Sequence, residues 1–167
     1  MTSRPVHYHR KRLRAINSEY SSAGMYLVTI CTNHMERRFG TVQSALVQLN
    51  HAGLLVETVW MAIPERFSGV DLDEWIVMPN HLHGIIALET VPNITMHTLG
   101  AIVGAFKSLT TVGYALGVGD GTFPRFDRSL WQRGFHDHLI RSQISLEKVR
   151  EYISGNPAHW TEREDSH

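Results

Sequence analysis

Two histidines separated by one leucine are the residues of this chain best suited to chemistry. His81-Leu82-His83 stands at the head of an apolar run that continues to Leu88. Side chains alternate between the two faces of a β-strand, so His81 and His83 are expected on one face and Leu82 on the other. Adjacent imidazoles can bind a divalent metal ion. A metal on a sheet face, close to a nucleophile, is a minimal arrangement for phosphoryl transfer.

The same spacing occurs elsewhere, because the chain contains 11 histidines. His7-Tyr8-His9 and His136-Asp137-His138 repeat it, and the second pair is a rival set of ligands. Buried polar groups usually have hydrogen-bond partners, so His81 and His83 also fit ordinary strand histidines. Spacing alone leaves this choice open.

Composition predicts one soluble globular domain over residues 1–167, with a basic N-terminal arm over 1–20. Apolar residues make up 43% and charged residues 19%, and the net charge of +0 gives no support to a nucleic-acid partner. The arm carries five basic residues and no acid before Glu19. It is either a local phosphate-binding segment or a solubilising terminus.

Cys31 is the only cysteine, so no disulfide can form within the chain and a reducing compartment is expected. No signal-peptide pattern and no apolar stretch long enough to span a bilayer is recognised. The expectation is a cytoplasmic protein with no membrane partner.

Hydrophobic periodicity predicts four strands and three helices. The strands are 25–32, 70–78, 81–88 and 135–141, and the helices run from about 43 to 62, from Thr95 or Thr98 to about 116, and from Ser145 to Gly155. This order predicts an α+β, ferredoxin-like βαββαβ antiparallel sheet with helices on one face, plus a C-terminal helix. The strand 81–88 should be interior to the sheet.

The C-terminal helix carries a tyrosine and an asparagine four residues apart. Tyr152 and Asn156 would share one face if the helix continued through Gly155, and Lys148 lies one turn earlier on that face. Pro157, however, predicts that the helix ends before it. Tyr152 is then a nucleophile or a half-buried aromatic, and Asn156 a ligand or a C-terminal cap.

Six segments, taken in order, resemble one known family. They are GMYLVTICT (24–32), MPNHLHG (78–84), LGAIVGAFKS (99–108), LWQR (130–133), FHDHLIR (135–141) and VREYISGNP (149–157). Together they resemble the REP-associated tyrosine transposases, bacterial single-tyrosine enzymes of the HUH (His-hydrophobic-His) class. The resemblance extends over nearly the whole chain from about Gly24 to Trp160.

The resemblance implies a function and a set of site residues. Tyr152 matches the nucleophile, and His81, His83 and Asn156 match the metal ligands. Members of the family cut single-stranded DNA beside the imperfect hairpins of repeated extragenic palindromes. The expected activity is therefore that of a transposase or DNA nickase, in the cytoplasm and associated with the nucleoid.

The residue types suit this chemistry. An ion held by two imidazoles and an amide oxygen keeps positions open for the scissile phosphate, and Mg²⁺ or Mn²⁺ is the expected metal. Tyrosine has a free pKa of about 10 and needs help to ionise. Its attack would leave a 5′-phosphotyrosine and a free 3′-hydroxyl, and the retained ester would allow a new strand to be joined.

Basic residues provide the candidate DNA contacts. They are Arg10, Lys11, Arg12, Arg14, Lys107 and Arg133. Trp131 either stacks on a base or packs in the core. The neutral net charge predicts modest non-specific affinity, so recognition should depend on hairpin shape and a few unpaired bases. A monomer and a homodimer both remain possible.

Two alternatives stay open at this point. One is a domesticated relative that holds hairpins without cutting them. The other is a small metal-dependent phosphodiesterase that uses His81 and His83, with or without His136 and His138. The first predicts no cleavage when metal is added, and the second predicts hydrolysis with no protein-linked product.

Overall fold

The computed structural model describes residues 23–164, with side chains described as far as Trp160. Its elements are β1 (Gly24–Cys31), β2 (Gly40–Gln43), β3 (Leu46–Leu49), α1 (His51–Met61), α2 (Ile63–Arg66), β4 (Val70–Met78), β5 (His81–Leu88), α3 (Leu99–Gly119), β6 (His136–Ile140) and α4 (Gln143–Glu164). The basic arm predicted over 1–20 lies outside the described residues.

The main sheet has the strand order β4-β5-β1-β6, and each neighbouring pair is antiparallel. This order confirms the ferredoxin-like arrangement. Strand β5 is interior, as predicted, and all eight of its residues are buried. The turn at Pro79 and Asn80 joins β4 to β5, because Met78 pairs with His81 across it.

The helix predicted from about Gln43 is wrong over its first third. Strands β2 and β3 form a separate two-stranded hairpin, and α1 begins only at His51. Ser44 and Ala45 both have positive φ, of 49° and 56°, as the two-residue turn of a right-handed hairpin requires. Asn50 then caps α1 by accepting a hydrogen bond from the Gly53 amide.

The final helix is longer than predicted at both ends. Ser142, rather than Ser145, caps it, since the Ser142 hydroxyl accepts a hydrogen bond from the Ser145 amide at 3.1 Å. The helix then passes through Gly155 and Pro157 to Glu164 instead of ending at Gly155. Proline inside a helix sacrifices one backbone hydrogen bond. Burial of Pro157 itself and of Ile153 in the preceding turn offsets that loss.

Two apolar clusters lie on opposite faces of the main sheet. The α1/α3 face is packed by Val28, Ile30, Leu82 and Ile86 against Trp60 and Phe106 of the helices. The α4 face is packed by Met25, Met78, Ile85 and Ile140 against Leu146 and Ile153 of α4. The C-terminal helix therefore covers the face opposite α1 and α3. His81 and His83 lie on this α4 face, since they alternate with Leu82.

Helix α3 contains 21 residues with a mean hydropathy of 1.4, so it is long and apolar enough to cross a membrane by length and composition alone. The expectation that no stretch meets this criterion is wrong. The buried residues Ile102, Val103, Phe106 and Tyr114 form a stripe that packs on the sheet. This packing accounts for the apolar composition of α3 as that of a core helix. Its cap, Thr98, is one of the two predicted.

Candidate active site

The two histidines of β5 lie side by side on the α4 face. Their ring centroids are 4.5 Å apart, and both residues are buried, with exposures of 9% for His81 and 6% for His83. His81 is paired with Cys31 of β1, and His83 is paired with Thr29 of the same strand. The alternation of a strand thus brings the two imidazoles together, as the sequence predicted.

The Asn80 side chain orients His81. Asn80 Nδ2 donates to the Met35 carbonyl at 3.1 Å, which turns its Oδ1 toward His81 Nδ1 at 2.7 Å. An amide oxygen only accepts, so the proton of His81 lies on Nδ1. The Nε2 lone pair of His81 is left for a metal ion. Such a hydrogen bond to the outer nitrogen is typical of metal-binding histidines.

The second imidazole is held in the same way by Thr29. Thr29 Oγ1 lies 2.8 Å from His83 Nδ1, so the Nε2 of His83 is also presented outward. Burial of the ring, together with the neighbouring His81, lowers the pKa of His83 to about 3. His83 is consequently neutral at physiological pH, which is the form that binds a metal.

Tyr152 of α4 lies over His83. Its hydroxyl is 3.4 Å from His83 Nε2, and the two ring centroids are 5.2 Å apart. The tyrosine is 43% exposed, so its hydroxyl is accessible to an incoming substrate. The phenol therefore lies beside the nitrogen that would hold an ion, and it is open to solvent.

Asn156 lies between two contacts that α4 makes with the histidines. Four residues before it, Tyr152 packs on His83, and four residues after it, the Trp160 ring is 6.0 Å from that of His81. Because the helix is continuous, residues spaced by four share one face. Asn156 is 9% exposed and therefore points into this interface. Its role as a helix cap is excluded, since α4 continues for eight residues.

The third ligand of a metal at this site has to be something other than a His, Cys, Asp or Glu side chain. Across residues 23–164, no group of three or more such side chains is close enough to hold an ion. An amide oxygen from Asn156 would complete the set. Two imidazoles held by Nδ1 contacts and a buried amide match the donor types expected for a divalent cation with open positions.

His136 and His138 are set apart from the β5 pair. Both are exposed on the edge strand β6, where His136 pairs with Thr29. Two strand spacings, or about 10 Å, therefore separate its backbone from that of His83. The prediction that they share a face is correct, but the structure groups them with no third ligand-type side chain from the described part of the chain.

A buried ion pair fastens α4 to the sheet beside the tyrosine. Arg150 Nε and one terminal nitrogen each donate to Asp73 of β4 at 2.7 Å, and both side chains are 4% exposed. Asp73 lies at a register shift of β4 between Leu72 and Trp75. Hydrogen bonding to Asp73 is the main reason why the pKa of Arg150 is raised. This pair fixes the helix two residues before Tyr152.

The predicted DNA contacts have different fates. Arg10, Lys11, Arg12 and Arg14 lie outside the described residues. Lys107 Nζ donates to the carbonyls of Gln132 and Gly134 at 2.9 and 2.6 Å, and burial lowers its pKa. It thus anchors the loop on which Arg133 is exposed. Lys148 is exposed one turn before Tyr152.

Trp131 packs in the core rather than presenting its ring to a base. It is 4% exposed, and its indole nitrogen donates to Thr110 Oγ1 at 2.8 Å. Its ring lies against Phe39 and Phe106. The packing alternative considered in the sequence is therefore correct.

Sequence reasoning missed the residues that support the site. Asn80 stood next to His81 within the quoted motif, so its position was a usable signal. Thr29 becomes a partner of His83 only through strand register, and Asp73 meets Arg150 across 77 residues of sequence. No local pattern announces either contact.

Comparison with known proteins gives one clear relative and two similar structures. No protein-family profile matches the chain. An uncharacterized protein from Haemophilus influenzae is 34% identical over 173 residues, covering 92% of this chain and 91% of the relative. A REP-associated tyrosine transposase bound to a REP hairpin has a TM-score of 0.56 at 16% identity, over 92% of this chain and 73% of that one. A Deinococcus radiodurans protein named as a transposase has a TM-score of 0.52 at 15% identity, over 84% and 94%.

Proposed function

We propose that this chain, which belongs to one family with the Haemophilus influenzae protein and has the fold of the REP-associated tyrosine transposases, is a metal-dependent DNA strand transferase. It would cleave single-stranded DNA beside hairpins through Tyr152. Its place would be the cytoplasm, in association with the nucleoid.

One observation carries this proposal. A single continuous helix sets Tyr152 on His83 and Trp160 on His81, with Asn156 between them. A nucleophile and an amide thus face two neutral imidazoles from one rigid element. A purely structural histidine pair would need no exposed tyrosine beside it, and a hydrolytic site would need no tyrosine nucleophile.

The covalent step follows from the exposure of Tyr152. The phenolic oxygen attacks the scissile phosphorus and forms a bond to it, while the bond from phosphorus to the 3′-oxygen breaks. The phenol loses its proton and the 3′-oxygen gains one, which leaves a 5′-phosphotyrosine and a 3′-hydroxyl. The ester energy is retained, so a strand ending in a 3′-hydroxyl can reverse the step.

His81, His83 and Asn156 would hold the metal, with Mg²⁺ or Mn²⁺ as the proposed ion. When bound, the ion supplies Lewis-acid polarisation of the phosphate and offsets its developing negative charge. Thr29 and Asn80 keep each imidazole in the orientation that presents Nε2. The ion pair between Arg150 and Asp73 keeps Tyr152 over His83.

The proposed substrate is single-stranded DNA with an imperfect hairpin. Support comes from the solved structure of similar fold, which holds a REP hairpin. Arg133 and Lys148 are exposed and would meet phosphates. The basic residues of the arm, Arg10, Lys11, Arg12 and Arg14, remain predicted contacts. Lys107 would act indirectly, by holding the loop that carries Arg133.

A covalent-adduct assay tests the proposal. The protein is incubated with labelled single-stranded hairpins from its own genome and Mn²⁺, and the products are separated under denaturing conditions. A labelled protein band is expected for the wild type and for Tyr26→Phe, a control on the α1/α3 face. No band is expected for Tyr152→Phe, which should still bind the hairpin.

Three results would contradict the proposal. An adduct that survives in Tyr152→Phe would remove the tyrosine from its role. Hydrolysis without any adduct would favour the phosphodiesterase alternative. Tight hairpin binding with no cleavage at any metal concentration would favour a binding module.

A further inference from the structure

An arginine that the mechanism above does not use lies at the far end of the histidine pair from Tyr152. Arg37 is exposed, and its guanidinium carbon lies 5.4 Å from the centre of the Trp160 ring. Trp160 in turn lies 6.0 Å from the His81 ring. A cation is therefore seated on the aromatic residue that borders one of the two imidazoles.

The backbone holds Arg37 in this position. The amides of Arg38 and Phe39 both donate to the Pro79 carbonyl, at 2.8 and 3.0 Å. The same turn carries Asn80, which bonds the Met35 carbonyl and His81. The segment bearing Arg37 and the strand bearing His81 are thus fastened to one turn. The adjacent acid, Glu36, is paired with Arg38.

The position of Tyr152 gives this cation a direction. Tyr152 and Trp160 are eight residues apart on α4, or about 12 Å along its axis. In phosphoryl transfer the attacking and leaving oxygens lie roughly in line on opposite sides of phosphorus. Attack by Tyr152 from the His83 end therefore sends the leaving 3′-oxygen toward the His81 end.

We propose that Arg37, seated on Trp160, binds a phosphate of the DNA strand that ends in the released 3′-hydroxyl. This strand would then stay in the site for rejoining instead of diffusing away. A guanidinium suits the task because it donates two parallel hydrogen bonds to phosphate oxygens and stacks on an aromatic ring. Trp160 is the positioning residue. The inference rests on the proposed function, since it requires Tyr152 to be the nucleophile.

Binding of the released strand tests the inference directly. After adduct mapping has identified the cleaved bond, a fluorescent oligonucleotide ending at its 3′-hydroxyl is titrated onto protein carrying Tyr152→Phe. Adding Arg37→Ala should weaken binding about 10-fold, the effect of losing one charge-assisted phosphate contact. The slope of log affinity against log salt should fall by about 0.7. Arg66→Ala, an exposed arginine on α2, should change neither quantity.

A neutral phosphate identifies the contact. Methylphosphonates are placed one at a time along the last nucleotides of the same oligonucleotide. One position should weaken binding to the parent protein and have no effect on the Arg37→Ala protein. If every position weakens both proteins equally, or if Arg37→Ala binds like the parent, the inference is overturned.

Rejoining kinetics separate this inference from the proposed function. With Tyr152 intact, Arg37→Ala should raise KM for the 3′-hydroxyl oligonucleotide about 10-fold with little change in kcat. Trp160→Ala and Arg37→Lys should lie between this variant and the wild type. Unchanged rejoining by Arg37→Ala overturns the inference alone, whereas a wild type that forms no adduct overturns the proposed function.

Discussion

The two faces of the main sheet are built on the same strands but for different purposes. On the α1/α3 face, Leu82 and Ile86 of β5 pack against Trp60 and Phe106, and the burial is almost entirely apolar. On the α4 face, the same strand presents His81 and His83, each hydrogen-bonded at Nδ1. The first face has the composition of a core, and the second keeps polar groups in an interface where burial is costly.

The difference shows how one strand can serve both stability and chemistry. A period of two residues sends Leu82 to the core and its neighbours to the site. The polar groups are tolerated because Asn80, Thr29 and Asp73 satisfy them. We therefore expect substitutions on the α1/α3 face to change stability, and those on the α4 face to change metal binding, except at the ion pair that fastens α4.

The largest stability effect on the α4 face is expected at that ion pair. Asp73→Ala leaves Arg150 buried without its main partner and should lower the free energy of unfolding by about 3–5 kcal/mol. Glu147→Ala removes the more exposed partner of Arg150 and should cost less than about 1 kcal/mol. Urea denaturation measures both. Equal losses would show that the ion pair does not fasten the helix.

Neighbouring residues of β5 allow the two faces to be compared directly. Leu82→Ala should lower the free energy of unfolding by about 2–5 kcal/mol, since it opens a cavity in the core. His83→Ala should cost on the order of 1 kcal/mol, the value of a lost hydrogen bond, but should abolish Mn²⁺ binding. Denaturation and metal titration of both variants test this. A similar stability loss for the two would remove the distinction.

Two glycines test how tightly the α1/α3 face is packed. A Cβ on Gly84 would lie 2.3 Å from the Trp60 ring, so Gly84→Ala should cost about 1–3 kcal/mol. A Cβ on Gly104 of α3 would meet nothing within 4 Å, so Gly104→Ala should add about 0.5–1 kcal/mol of stability through helix propensity. Thermal unfolding gives the sign of each change, and loss of stability at both positions would contradict the packing.

The smallest effect is a pH dependence that arises from His83. Its pKa of about 3 lies below the unfolded value of 6.5, so the unfolded chain binds the extra proton first and acid destabilises the fold. Between pH 6.5 and 5.5 the contribution should be about 1 kcal/mol. Denaturation in EDTA compares the wild type with His83→Gln, which should lack this component. Identical pH profiles would show that His83 titrates normally.

Much of the fold follows from local patterns. The apolar run after His83 and the turn at Pro79 and Asn80 predicted β5 correctly, because alternation and turn chemistry act over a few residues. The hairpin of β2 and β3 was missed, since its apolar residues also fit helical spacing. The two residues with positive φ, Ser44 and Ala45, are not glycine or asparagine, the types that signal such a turn.

The site was predicted in part. The sequence by itself determined that His81 and His83 share a face, because strand geometry permits nothing else. It placed Tyr152 and Asn156 four residues apart, but Pro157 predicted an end to the helix that would separate them. Only the tertiary structure decided that α4 continues, since burial against the sheet outweighs one lost backbone hydrogen bond. That packing, with the Asp73 ion pair, brings the tyrosine to the histidines over a separation of 69 residues.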